Sequence, residues 1–143
     1  MNFQNKVVWI TGASSGLGEA MAKALNAGGA KLILSARNEK ELHRVQNELP
    51  NKNNNSIILP FDVQKYHEAE NIAQKALLGF GKLDILINNA GLSQRSLAKD
   101  TPFIDDLKII EVDLIATIAL TKAVLPELIK NQENCSLTAK FDI

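Results

Sequence analysis

A doubly wound α/β fold, a parallel sheet with helices on both faces, is predicted by three observations. Short apolar runs alternate with longer helix-like runs in the order β-α-β-α-β-α-β-α. The strand-like runs are apolar without interruption, as in Ile57-Ile58-Leu59 and Ile85-Leu86-Ile87, which is what a sheet buried on both sides requires. A glycine-rich turn, Thr11-Gly12-Ala13-Ser14-Ser15-Gly16-Leu17-Gly18, joins the first strand to the first helix.

The elements follow in order. Val7–Thr11 is the first strand, and the helix over residues 16–28 ends at Gly28-Gly29. Lys31–Ser35 is the second strand, and the helix over 39–49 is closed by Pro50. Residues 51–55, Asn-Lys-Asn-Asn-Asn, form a polar, solvated connection. The third strand covers 57–61, the third helix 64–80, the fourth strand 83–88 and a long fourth helix 103–131. Right-handed crossovers then give the strand order 3-2-1-4, with the glycine turn at the carboxyl end of the first strand. The expectation is a Rossmann-type sheet, truncated, with its later strands missing. Residues 1–131 read as an incomplete nucleotide-binding domain and 132–143 as an atypical tail. The tail alternates polar and apolar from Cys135 onward, so it does not read as a central fifth strand.

The long helix is apolar nearly all round. Leu107, Ile110, Leu114, Ile118 and Val124 lie roughly on one stripe, while Ile109, Ile115, Leu120 and Leu128 fill other faces. Such a helix needs cover on two sides. The sheet supplies one; a second subunit or further chain supplies the other. Association through residues 103–131, most simply as a homo-oligomer, is therefore expected. An open edge beside the fourth strand points the same way, to a marginal, association-prone product.

Composition narrows the function classes. The 143 residues are 45% apolar and 22% charged, ordinary for a soluble domain, and 16 basic residues balance 16 acidic ones. No basic field suggests nucleic acid or an anionic membrane as partner. No run of about 18 apolar residues suggests a spanning helix, and the first strand begins too early for a leader peptide. Cys135 is the only cysteine, so a reducing, cytoplasmic setting is expected. His43 and His67 have no metal-spaced partner and read as surface residues, so no metal is expected.

The chemistry sits in the turns after the strands. A helix N-terminus offers unpaired N–H groups and partial positive charge, and glycines let the backbone approach a pyrophosphate. The spacing is G-x-x-x-G-x-G, not that of a phosphate loop ending in Lys-Ser/Thr. After the second strand stands Ser35-Ala36-Arg37-Asn38, with no acid before Glu39. An acid there would hold a ribose 2′-hydroxyl and favour NAD(H). Arg37 instead has a planar cationic fork suited to the 2′-phosphate of NADP(H), although an arginine there could also simply face solvent. Asp62 could accept from an adenine amino group or cap the next helix; the roles are compatible. In Asn88-Asn89-Ala90-Gly91, the amides can bridge neighbouring strands and Gly91 lets the backbone pass close to a ribose.

Together these residues resemble the short-chain dehydrogenase/reductase family. The resemblance rests on Thr11 to Gly18, Asp62-Val63 and Asn88 to Gly91, each at family spacing, and runs from about Lys6 to Lys130, where Thr121-Lys122-Ala123-Val124-Leu125-Pro126 looks like the end of the family's interface helix. It implies that Gly12, Ser14, Ser15, Gly16, Leu17 and Gly18 cradle the pyrophosphate. Ser14, Arg37 and Asn38 would surround the 2′-phosphate. Asp62 and Val63 would flank adenine, and Asn89, Ala90 and Gly91 would line the ribose. The family moves hydride between nicotinamide and a carbonyl or alcohol carbon. It uses a Tyr whose pKa is lowered by a Lys four residues on, a substrate-orienting Ser, and an Asn in the long helix.

The chain departs from that catalytic pattern. Its sole tyrosine, Tyr66, is followed four residues later by Glu70 and lies between the third and fourth strands. The helix Asn aligns with Asp113, a group that only accepts hydrogen bonds when ionised. The leading expectation is the NADP(H)-preferring cofactor half of such an oxidoreductase, without catalysis of its own, its tail arising from a frameshift, splice or cloning junction. The alternatives are a non-catalytic nucleotide-binding or heterodimerising module, and a degraded gene product that does not accumulate.

Overall fold

Alternation within all-apolar strands decides where the core lies. A computed structural model describes residues 2–51, 55–131 and 137–139. β1 (Val7–Thr11) is buried along its whole length. Val7 and Trp9 point into one core cluster with Ile33, Leu86, Leu120, Val124 and Leu128. Val8 and Ile10 point to the opposite face, against Ala22, Leu32, Leu34, Leu42 and Val45. Side chains alternate across a strand, so a strand covered on both faces must be apolar at every position.

The remaining elements are α1 (Gly16–Ala27), β2 (Lys31–Ser35), α2 (Glu39–Asn47), β3 (Ser56–Ile58), a 3-10 segment (Val63–Glu68), α3 (Ala69–Phe80) and β4 (Ile85–Asn88). They are followed by a 3-10 turn (Ala98–Asp100), α4 (Phe103–Ile110), a π turn (Glu111–Ile115), α5 (Ala116–Lys130) and β5 (Leu137–Ala139). The sheet order is β3-β2-β1-β4-β5 and every pairing is parallel. The helices α1 and α2 cover one face, and α3 and α5 the other. At the amino ends of the central strands, buried Asp84 accepts from the Val7 amide at 2.8 Å and pairs with Lys82 at 2.8 Å.

Three expectations are corrected. The tail does supply a strand: Leu137, Thr138 and Ala139 pair in register with Leu86, Ile87 and Asn88. Main-chain N–H and C=O groups hold such a ladder, so a short edge strand does not need an unbroken apolar run. The edge of β4 is thus covered over those residues, and the sheet runs one strand further than the order 3-2-1-4. The rest of the tail, with Cys135, lies outside the described residues, as do residues 52–54 of the asparagine loop.

The long helix is not continuous. A π turn over Glu111–Ile115 separates α4 from α5, and a π turn lets in one extra residue, which rotates the faces that follow. Val124 does not share the predicted stripe and is fully buried with Ala116, Leu120 and Leu128. Leu107, Ile110, Leu114 and Ile118 stay exposed on the outer side. The third helix is shorter than expected: a 3-10 segment broken at Lys65 precedes α3.

Candidate functional site

At the carboxyl end of the sheet, where chain order reverses between β1 and β4, the turns enclose a cleft of about 350 Å³. Its first wall is the glycine turn, with Gly12, Ser14, Ser15 and Leu17. The second wall is the β2–α2 turn, with Arg37 and Asn38. Asp62 and Val63 stand at the third, Asn89, Ala90 and Gly91 at the fourth. Gly16, Gly18 and Asp113 are not in the walls; Gly16 makes the turn at φ 55°, and the other two work from behind.

Gly18 sits where almost nothing else fits. A Cβ there would stand 2.2 Å from the Gly12 carbonyl oxygen and 2.6 Å from Asn89 Nδ2. A Cβ on Gly12, at φ 66°, would lie 2.9 Å from Ala90 Cα. The glycine turn and the Asn89 segment thus approach backbone to backbone. Ser15, at the N-cap of α1, makes no side-chain cap bond. Unpaired N–H groups at a helix start form an anion site.

Thr11 and Asn89 lock the two turns together. The Asn89 and Ala90 amides each donate to Thr11 Oγ1 at 3.0 Å. Asn89 Nδ2 donates to the carbonyls of Thr11 at 3.1 Å and Gly12 at 3.2 Å. Of the two asparagine side chains, it is that of Asn89 that bridges the strand ends. Asn88 turns to the other face, where its Nδ2 donates to Thr121 Oγ1 at 3.2 Å and its buried Oδ1 has no hydrogen-bond partner among the described residues. The role of Thr11 was not evident from sequence, although a hydroxyl at a strand end is able both to donate and to accept.

The polar caps are assigned by geometry. Asp62 Oδ1 accepts from the Gln64 amide at 3.1 Å, so capping is one of its roles. Asn38 Oδ1 caps α2, accepting from the Lys40 and Glu41 amides at 3.1 and 3.3 Å. Arg37 is exposed in the cleft wall and forms no ion pair among the described residues. Asp113, in the π turn, accepts from the Leu92 amide through Oδ1 at 2.9 Å. That oxygen would lie 3.3 Å from a Cβ on Gly91, so Asp113 sets the path of the fourth turn from behind.

Behind the first two walls lies an ion-pair cluster absent from the sequence-based expectations. Arg44 Nη2 donates to Glu19 Oε2 at 2.8 Å and to the Ser14 carbonyl at 3.2 Å. Its Nη1 reaches Glu19 Oε1 and Glu48 Oε1, and its Nε reaches Glu41 Oε2. Lys23 joins Glu19 and Glu48, each at 2.7 Å. Hydrogen bonds from Arg44 and then Lys23 hold the Glu19 carboxyl down to about 2. The spacings 19/23, 41/44 and 44/48 were visible as helix pairs, but the crossing from α2 to α1 was not.

The sequence pattern of the short chain dehydrogenase family matches residues 6–136. Dehydrogenase/reductase SDR family member 7 of Homo sapiens is 43% identical over 136 residues, covering 92% of this chain and 40% of that protein. Member 7B of Mus musculus is 38% identical, covering 91% of this chain and 42% of that protein. The chain thus spans well under half the length of these relatives. A 3-ketoacyl-(acyl-carrier-protein) reductase from Brucella melitensis, solved with NADH, superposes with a TM-score of 0.84 at 31% identity, over 91% of this chain and 52% of that one. An alcohol dehydrogenase from Thermococcus sibiricus, solved with 5-hydroxy-NADP, gives 0.83 at 32% identity, over 92% and 57%.

Proposed function

Since the chain belongs to the short-chain dehydrogenase family, we propose that it is the cofactor-holding part of an oxidoreductase acting on carbonyl or alcohol substrates, with NADP(H) preferred over NAD(H). The cleft suits such a group: Gly12, Ser14, Ser15 and Leu17 of the glycine turn line it beside the start of α1, whose N-cap residue Ser15 makes no side-chain cap bond. When bound, the dinucleotide supplies hydride donor or acceptor chemistry. The chain's own part is to bind and orient. The α1 start and the glycine turn face the pyrophosphate, Asp62 and Val63 the adenine, and Asn89 to Gly91 a ribose. Tyr66 takes no part in proton transfer on this reading, because Glu70 and not a Lys stands four residues on.

The observation that carries the NADP(H) preference is Arg37, set in the cleft wall opposite Ser14 with no carboxylate paired to it among the described residues. A charge-assisted hydrogen bond contributes about 1.5–3 kcal/mol. Arg37→Ala is therefore expected to weaken NADPH binding by roughly ten- to a hundredfold while leaving NADH binding nearly unchanged, as read by nucleotide fluorescence titration. Equal losses for the two nucleotides would remove the assignment.

A second reading, a non-catalytic module that associates through its long helix, is favoured by the exposed apolar row Leu107, Ile110, Leu114 and Ile118. No helix among the described residues is long and apolar enough to cross a membrane.

A further inference from the structure

Arg44 does not line the cleft, yet it ties α2, the helix that follows one of the turns bordering it, to the glycine turn that forms another. Ser14 belongs to the glycine turn and Arg37 to the β2–α2 turn. Asn38 caps α2, and Arg44 stands on α2 and reaches back across to α1 and the Ser14 carbonyl. Each N–H of the guanidinium finds an acceptor: Glu19 takes two, and Ser14, Glu41 and Glu48 one each. A bidentate fork with its remaining donors also satisfied holds direction as well as charge.

We infer that Arg44 is a positioning residue for the 2′-phosphate corner: it fixes Ser14 relative to the turn that carries Arg37, and so sets how far NADP(H) is preferred without touching the nucleotide. This rests on the reading of Arg37 given above. The physical case is that a phosphate held between two turns is recognised only while their separation is right. Surface ion pairs add little to stability singly, so a cluster that crosses from α2 to the phosphate turn acts chiefly on geometry. Lysine would keep the charge, but its three donors on one nitrogen could not hold Glu19 in a two-pronged fork while also reaching the Ser14 carbonyl, Glu41 and Glu48.

The test uses the purified chain with two probes that avoid the nicotinamide end, adenosine 2′,5′-bisphosphate and 5′-AMP, by calorimetric titration. Arg44→Met is expected to weaken the bisphosphate roughly tenfold and 5′-AMP by less than about twofold. Arg44→Lys is expected to fall between Met and wild type. Arg37→Ala separates the two ideas. If Arg37→Ala lowers the bisphosphate-to-AMP ratio and both Arg44 variants leave it unchanged, Arg44 is merely structural and this inference fails alone. If Arg37→Ala leaves the ratio at its wild-type value, or the wild-type chain binds neither probe, the 2′-phosphate reading itself fails and takes this inference with it. In the double variant Arg37→Ala/Arg44→Met, losses smaller than the product of the single ones are expected, since both act on one corner. Losses that multiply in full would overturn the link between them. If Arg44→Met does not fold, Arg44→Lys decides, and an unchanged ratio there refutes the role.

Discussion

Replacing Gly18 by alanine tests the central claim that the glycine turn and the fourth turn meet backbone to backbone. The added Cβ would lie 2.2 Å from the Gly12 carbonyl oxygen, whereas ordinary contacts between carbon and its neighbours are about 3.5–4.0 Å. More than an ångström of movement is needed, and the obstacle is main chain. The Gly12 carbonyl cannot simply withdraw, because Asn89 Nδ2 donates to it at 3.2 Å and the Gly12 Cα is itself closely faced by the Ala90 main chain. Overpacking of this kind costs about 1–3 kcal/mol, and loosening the Asn89 bonds adds about 1 more. The expected loss is therefore about 2–4 kcal/mol, or roughly 10 °C in Tm for a chain of this size.

The assay is urea unfolding followed by the emission of Trp9, the single tryptophan, which is fully buried. Gly81→Ala is the control. Gly81 has φ 73° but open space around a would-be Cβ, so it isolates the left-handed penalty of about 1–2 kcal/mol and leaves nucleotide binding intact. Should Gly18→Ala prove no more destabilising than Gly81→Ala, the steric account of the site is wrong.

Two further outcomes are expected. The Glu19 carboxyl is held near 2 in the folded chain against an ordinary 4.5, so its contribution to stability is full above pH 4.5 and lost as pH falls toward 2. Glu19→Gln should flatten the fall of unfolding free energy in that window, and an unchanged slope would show that the Arg44 and Lys23 bonds do not persist in solution. Ile110→Lys combined with Leu114→Lys alters the outward row where it crosses the π turn, with both residues nearly half exposed. Sedimentation should shift toward monomer, and an unaltered distribution would show that this row is not the association surface.

Much of the site was legible before the structure because its residues follow strand ends. A parallel sheet with right-handed crossovers brings every such turn to one edge. Gly12, Arg37, Asp62 and Asn89 each stand just past an apolar run, and all four line one cleft. What could not be read were contacts made across chain separation. Thr11 and Asn89 are 78 residues apart, and no local pattern shows that a threonine hydroxyl anchors two distant amides. The same holds for Arg44, whose helix-local partners were visible but whose reach of 30 residues to Ser14 was not. Asn88 and Asn89 are chemically identical in sequence; the strand pleat sends one to Thr121 and the other to the glycine turn.

By itself, then, the sequence determined the element order, the parallel sheet and the positions of the phosphate and 2′-phosphate candidates. It could do so because apolar periodicity and glycine placement act within a few residues of chain. Tertiary structure alone decided that the tail adds β5, that a π turn breaks the long helix, and that Asp113 and Arg44 brace the cleft from behind. Those outcomes depend on which hydrogen-bonding groups are left open by neighbouring elements, and that is known only once the elements have packed.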